Sequence, residues 1–125
     1  MDYSKWAFHD VTPVYLQLYE KLRNSILGSE IHPCEKMPSI RDMAIFLRIS
    51  ANTVAKAYWL LSQQDLILCA NVKGYKVTSD VSYIQQQRQK QARILCCTYI
   101  QKMLELGYST EEATGLIGKV LPDSE

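Results

Sequence analysis

Apolar residues recur at helical spacing along the first third of the chain. Leu18, Leu22 and Ile26 fall four apart, with Tyr15 and Tyr19 beside them. Pro13 stands at the start of this run, where the first helical turn tolerates proline, and Gly28 stands at its end. An irregular stretch bracketed by Pro33 and Pro38 follows. Ser39 then suits the N-cap of a second helix, and Asp42 three positions on approximates a capping box. Met43, Ala44 and Leu47 give that short helix its apolar face. A third helix is predicted from Ser50 or Asn52, both capping residue types, with Val54, Ala57, Tyr58 and Leu61 turned to the core. Beyond it the period changes. Residues 66–70 (LILCA) read as a strand, NVKG as a turn in which Gly74 supplies a permissive backbone, and 75–79 (YKVTS) as an alternating second strand. Three helices and a hairpin in this order predict a winged helix-turn-helix over residues 10–79.

After Asp80 the pattern lengthens. The run to Tyr108 lacks proline and is rich in helix formers, yet Gln85 to Gln91 is entirely polar. Ile84, Ala92, Leu95, Tyr99, Met103 and Leu106 approximate one seam, and Gly107 stops the helix. Ser109 with Glu112 forms a capping box for a last helix carrying Ala113, Leu116, Ile117 and Val120. One long and one short helix cannot close a core alone, so another surface must cover them. Self-association is the expected solution. Residues 80–121 are therefore read as a helical dimerisation region, with Leu95, Tyr99, Met103, Leu106, Leu116 and Ile117 as its contacts. The expected fold class is mostly α with a small β-hairpin.

Composition narrows the picture. A chain of 125 residues, 47% hydrophobic, suits one domain, or one small domain with an appendage, and is no disordered tail. The net charge is +1, but residues 36–80 carry six basic groups against three acidic ones, so the helix-turn-helix is the basic third. No apolar run approaches the roughly 20 residues a membrane helix needs, and the N-terminus lacks a signal-peptide core. A cytoplasmic location without membrane partners is expected. Cys34, Cys69, Cys96 and Cys97 lack CxxC spacing, and with His9 and His32 they are scattered, so no metal site is expected. No Ser/His/acid set, glycine-rich phosphate loop or paired-carboxylate site is present, so neither an enzyme nor a cofactor is expected.

The helix-turn-helix pattern points to double-stranded DNA. A reading helix presents short polar or basic side chains at its N-terminal end to base edges, while neighbouring groups hold phosphates. Asn52 and Thr53 stand at the start of the third helix and Lys56 one turn on. Ser39, Arg41 and Ser50 lie at the neighbouring helix starts, and Lys73, Gly74 and Lys76 in the hairpin. Each also has an ordinary role open to it: the serines and Asn52 as caps, the lysines as solvated surface. Two other readings compete. One is a winged helix used for protein contacts without DNA. The other is a regulator that senses redox state through Cys96 and Cys97.

The stretch from Pro13 to Tyr58 resembles the GntR family of bacterial transcription regulators. PCEKMPSIRDMA, residues 33–44, is similar to that family's P-G-x-x-L-P-S-x-R-x-L-A signature. NTVAKAYWLL with a short helical tail resembles the YtrA subfamily, whose members carry two C-terminal helices for dimerisation. The resemblance implies a homodimeric regulator, usually a repressor, binding an inverted-repeat operator. It also implies DNA contacts from Arg41, Ser50, Asn52, Thr53, Lys56 and the wing at Lys73–Gly74. The chain departs from the pattern at Ala51 and Ala55, where arginines are common, and in the wing, which reads ANVKGYKV over 70–77. A small-molecule effector of unidentified chemistry is the remaining partner the resemblance leaves open.

Overall fold

The computed structural model describes residues 1–70 and 74–121. The chain forms two compact units, Met1–Gln86 and Gln87–Glu125.

The first unit contains α1 (Val14–Leu27), α2 (Ile40–Leu47), α3 (Ala51–Gln63), β1 (Ile67–Cys69), β2 (Tyr75–Val77) and the first turns of α4 (Val81–Glu105). Pro13 is the N-cap of α1, as its fixed φ favours. Leu18, Leu22 and Ile26 of α1 are buried against Met43 and Leu47 of α2 and Val54, Ala57, Tyr58 and Leu61 of α3. Tyr58 is fully buried, and its hydroxyl is satisfied by donating to the Pro38 carbonyl at 2.7 Å. Its ring meets that of Tyr75 edge-on at 5.2 Å.

Each helix stop has a visible cause. After α1, Ser29 takes φ 67°, and after α2 and α3 Arg48 (φ 58°) and Asp65 (φ 57°) adopt the left-handed conformation. There the amide of Ile49 reaches back to Ala44 O and that of Leu66 to Leu61 O, both at 3.1 Å. Gly28 closes α1 without a positive φ.

The strands are shorter than expected, 67–69 and 75–77 rather than 66–70 and 75–79. They pair antiparallel in the register Ile67 with Val77 and Cys69 with Tyr75. A third segment supports them. Cys34 N–H donates to Val77 O, Val77 N–H to Glu35 O and Met37 N–H to Tyr75 O, which sets Lys36 beside Lys76. Residues N-terminal to the expected domain start also join this core. Tyr3 is buried, Trp6 and Phe8 pack against the cluster, and the Tyr3 and Trp6 rings meet edge-on at 5.2 Å. Gln17 of α1 holds this arm: its amide accepts from His9 N–H (3.0 Å) and donates to the carbonyls of His9 (2.8 Å) and Thr12 (2.7 Å). At the far end of the unit, Ile84 of α4 is buried in the same cluster, and the Tyr83 hydroxyl donates to the Gln64 carbonyl.

The second unit comprises the rest of α4 and α5 (Thr110–Val120). Gly107, at φ 95°, ends α4. Ser109 and Glu112 form both bonds of the capping box of α5, at 3.1 and 2.9 Å. The Tyr99 hydroxyl ties the pair together by donating to Ala113 O at 2.7 Å. Among the described residues no helix is long and apolar enough to cross a membrane.

Candidate nucleic-acid interface

The start of α3 is built by Ser50. Its hydroxyl accepts the Thr53 amide at 3.1 Å and lies 2.8 Å from the Thr53 hydroxyl. Ser50 is thus the N-cap, which stabilises such a helix by about 1 kcal/mol. The cap leaves the face opposite the core open: Asn52 and Lys56 are exposed and Thr53 half-buried. Ser39 does the same work for α2, accepting the Asp42 amide at 3.0 Å. Only this half of the expected capping box forms, since an aspartate is one methylene shorter than the glutamate that completes the box of α5. Arg41 lies in the first turn of α2 and is exposed.

Lys56 is held in place by a neighbour the sequence pattern did not indicate. Its ammonium sits 5.3 Å from the centroid of the Tyr15 ring on α1, a cation–π distance. Two further cations stand out. Arg48 occupies the left-handed position between α2 and α3 and is exposed. Lys36 and Lys76 are exposed neighbours on adjacent extended segments. Like charges placed opposite one another are unfavourable unless an anion offsets them. Arg48 and Lys36 entered the sequence reading only within the basic middle third, and the partner that makes Lys36 distinctive lies 40 positions on.

In the wing, Gly74 takes φ 95° and its carbonyl accepts the Ala70 amide. No atom lies within 4 Å of where a Cβ would stand, so the glycine is required by backbone conformation, not by crowding. Lys73 lies outside the described residues. Ser39, Arg41, Ser50, Asn52, Thr53, Lys56 and Gly74 all belong to the first unit, and the first six lie on or cap two helices that share one core.

Beneath this surface burial perturbs two tyrosines. It pushes Tyr3 up to about 12, helped by Glu35, and raises Tyr58 well above the ordinary phenol range. Among the described residues no group of three or more His, Cys, Asp or Glu side chains is placed to hold a metal ion.

The residues proposed as dimer contacts divide between two surroundings. Tyr99, Met103 and Leu116 are half-buried, and Tyr99 is bonded within its own unit. Leu95 (69% exposed), Leu106 (73%) and Ile117 (44%) are open.

Comparison with known proteins places this geometry. The profile of bacterial regulatory proteins, gntR family, matches residues 14–77. The HTH-type transcriptional repressor YtrA of Bacillus subtilis (strain 168) is 29% identical over 69 residues, 55% of this chain and 53% of YtrA, so the chain spans about half that relative's length. A GntR family transcriptional regulator from Listeria monocytogenes superposes with a TM-score of 0.86 at 26% identity, over 91% of this chain and all of that one. The DNA-binding domain of AraR, in complex with operator ORX1, superposes with a TM-score of 0.53 at 25% identity, over 58% of this chain and 93% of that one. The chain belongs to the GntR family of bacterial regulatory proteins, and it is a DNA-binding transcriptional regulator built on that family's winged helix-turn-helix.

Proposed function

We propose that the protein is a cytoplasmic homodimeric repressor that binds an inverted-repeat operator. Each subunit sets α3 in a major groove. Asn52 and Thr53 meet base edges, and Lys56 and Arg41 meet phosphates or the groove edge. The wing near Gly74 and Lys73 lies along the adjacent backbone. The observation that carries this reading is the pair of capped helix starts that leave Arg41, Asn52 and Lys56 exposed on α2 and α3. Helix N-termini with a basic side chain nearby are natural phosphate sites. YtrA's designation as a repressor and AraR's operator complex support the sign of regulation and the ligand.

The dimer is supported by the exposed Leu95, Leu106 and Ile117 of α4 and α5. Apolar surface of this kind is stabilised when a second copy covers it. Two-fold symmetry then predicts half-sites one helical turn apart or a multiple of it.

A fluorescence-anisotropy titration at fixed salt, comparing the duplex upstream of the protein's own gene with a scrambled duplex, tests the reading. A preference of about a thousandfold or more supports it. Equal, weak binding to these and to a random-sequence pool favours a protein-interaction module instead.

A second reading adds a redox input. Cys96 and Cys97 are exposed on α4 and line a shallow apolar groove with Ile100 and Leu104. Operator affinity that does not change after mild oxidation of these thiols removes it.

A further inference from the structure

We propose that α3 reads thymine C5-methyl groups through an apolar ridge formed by Ala51, Ala55 and Trp59. The inference rests on the reading above, in which α3 is the helix that enters the major groove. It adds what that helix looks for there.

The helix carries one basic side chain, Lys56, and no arginine. Guanine is most often read by a bidentate Arg or Lys. A helix whose single ammonium rests over the Tyr15 ring is poorly furnished for guanine. What it presents instead is apolar. Ala51, Ala55 and Trp59 are four residues apart, so they line one strip of the helix surface. Ala51 is exposed, Ala55 is half-buried, and Trp59 is 59% exposed. None of the three belongs to the buried core, which takes Val54, Ala57, Tyr58 and Leu61 from the adjoining face of the helix.

An open indole is the unusual member. Trp6, the chain's other tryptophan, is packed against Tyr3. Trp59 leaves its large apolar surface in water unless a ligand covers it. Helical side chains lean toward the N-terminus, so the indole reaches toward the end of α3 that enters a groove. From Ala51 to Trp59 the helix rises about 12 Å, long enough to pass more than one base pair at about 3.4 Å each.

Thymine is the base that answers this surface. Its C5-methyl is the apolar group displayed in the major groove, and apolar side chains contact it without leaving a donor or acceptor unpaired. Asn52 adjoins the strip, and asparagine is the side chain that pairs bidentately with adenine. The two together suit a half-site rich in A·T pairs.

The test uses the full chain to enrich duplexes from a random-sequence pool. The enriched duplex is then synthesised with thymidine and again with deoxyuridine at every T. The thymidine duplex is expected to bind about fourfold tighter for each methyl contacted, the factor given by about 0.8 kcal/mol per buried methyl-sized group, and so more than tenfold overall. In W59Q and A55S that ratio is expected to shrink toward one, with circular dichroism unchanged. Equal binding of the two duplexes by the unaltered chain overturns the inference. So does a uracil penalty that persists unchanged in both variants, because it then belongs to duplex shape. In W6F, Trp59 is the sole tryptophan, and its emission is expected to change on saturation with the enriched duplex; unchanged emission overturns the placement of the indole. A pool that yields no enriched duplex overturns the DNA-reading proposal along with this one, which separates the two failures.

Discussion

The two units of this chain solve burial in opposite ways. Met1–Gln86 sinks eighteen hydrophobic side chains into one cluster, from Tyr3 to Ile84. Among the described residues after Gln86, Ala113 alone reaches the same degree of burial, while Leu95, Leu104, Leu106, Ile117 and Val120 stay open. The first unit has what it needs to hold its own shape. The second joins its two helices through the hydrogen bond from Tyr99 to Ala113 and leaves most of its apolar residues exposed. Exposure therefore carries different meanings in the two. In the reading proposed above, exposure on α3 marks side chains available to DNA, and exposure on α4 and α5 marks side chains for a second copy to cover.

Core truncation should separate the units most sharply. Leu22→Ala removes a fully buried side chain and is expected to destabilise the first unit by roughly 2–5 kcal/mol in a denaturant titration. A loss below about 1 kcal/mol would mean that the cluster is looser than its burial implies.

Charging the tail should do the reverse. Leu95→Glu with Leu106→Glu is expected to leave the first unit's unfolding midpoint in place and convert dimer to monomer in sedimentation velocity. Operator affinity should fall on the order of a hundredfold as the two half-sites lose their linkage. A double variant that stays dimeric removes this face as the interface.

The reading surface sits next in size. Lys56→Ala and Arg41→Ala are each expected to weaken operator binding by about 1–3 kcal/mol, with the salt slope reduced by about one for a phosphate contact. If neither changes the anisotropy titration, the α2–α3 surface is not the one that binds.

Gly74→Ala should be smaller. It forces a Cβ onto φ 95° and is expected to cost about 1–2 kcal/mol, felt in the hairpin.

The smallest effect at ordinary pH comes from the buried phenols. Tyr3 and Tyr58 have folded pKa values above the unfolded value of 10.0. Their contribution is fully present below about pH 10 and is lost as pH rises from there through about 12, because the unfolded chain ionises first. Thermal midpoints should be flat from neutral pH to about 9 and then decline; Tyr3→Phe should soften that decline.

Local rules carried most of the fold. Proline at 13, serine at 39, 50 and 109, and glycine at 107 mark helix boundaries by short-range chemistry, and the structure uses each of them. Long-range pairings were not legible. Tyr3, Trp6 and Phe8 have no helical or strand period, and only their packing on the core cluster explains them. Lys36 meets Lys76 across 40 residues, and Tyr15 meets Lys56 across 41. The tail seam was legible as a period, but a period does not say who covers it: Tyr99 turned out to bond its own α5, whereas Leu95 and Leu106 face outward.

Gln17 is expected to give the N-terminal arm its own opening equilibrium. One buried carboxamide carries three of the bonds that fasten residues 9–12, so losing it should release the arm as a unit while the helices stay folded. Such a release bares Tyr3, which lies near enough to Tyr58 to influence its ionisation, and Tyr58 in turn anchors Pro38 at the entrance to α2. Hydrogen exchange at His9 would report that opening, and proteolytic nicking after Lys5 would follow its population. An arm remote in sequence from α2 is thus expected to bear on the entrance to that helix, through Tyr3, Tyr58 and Pro38.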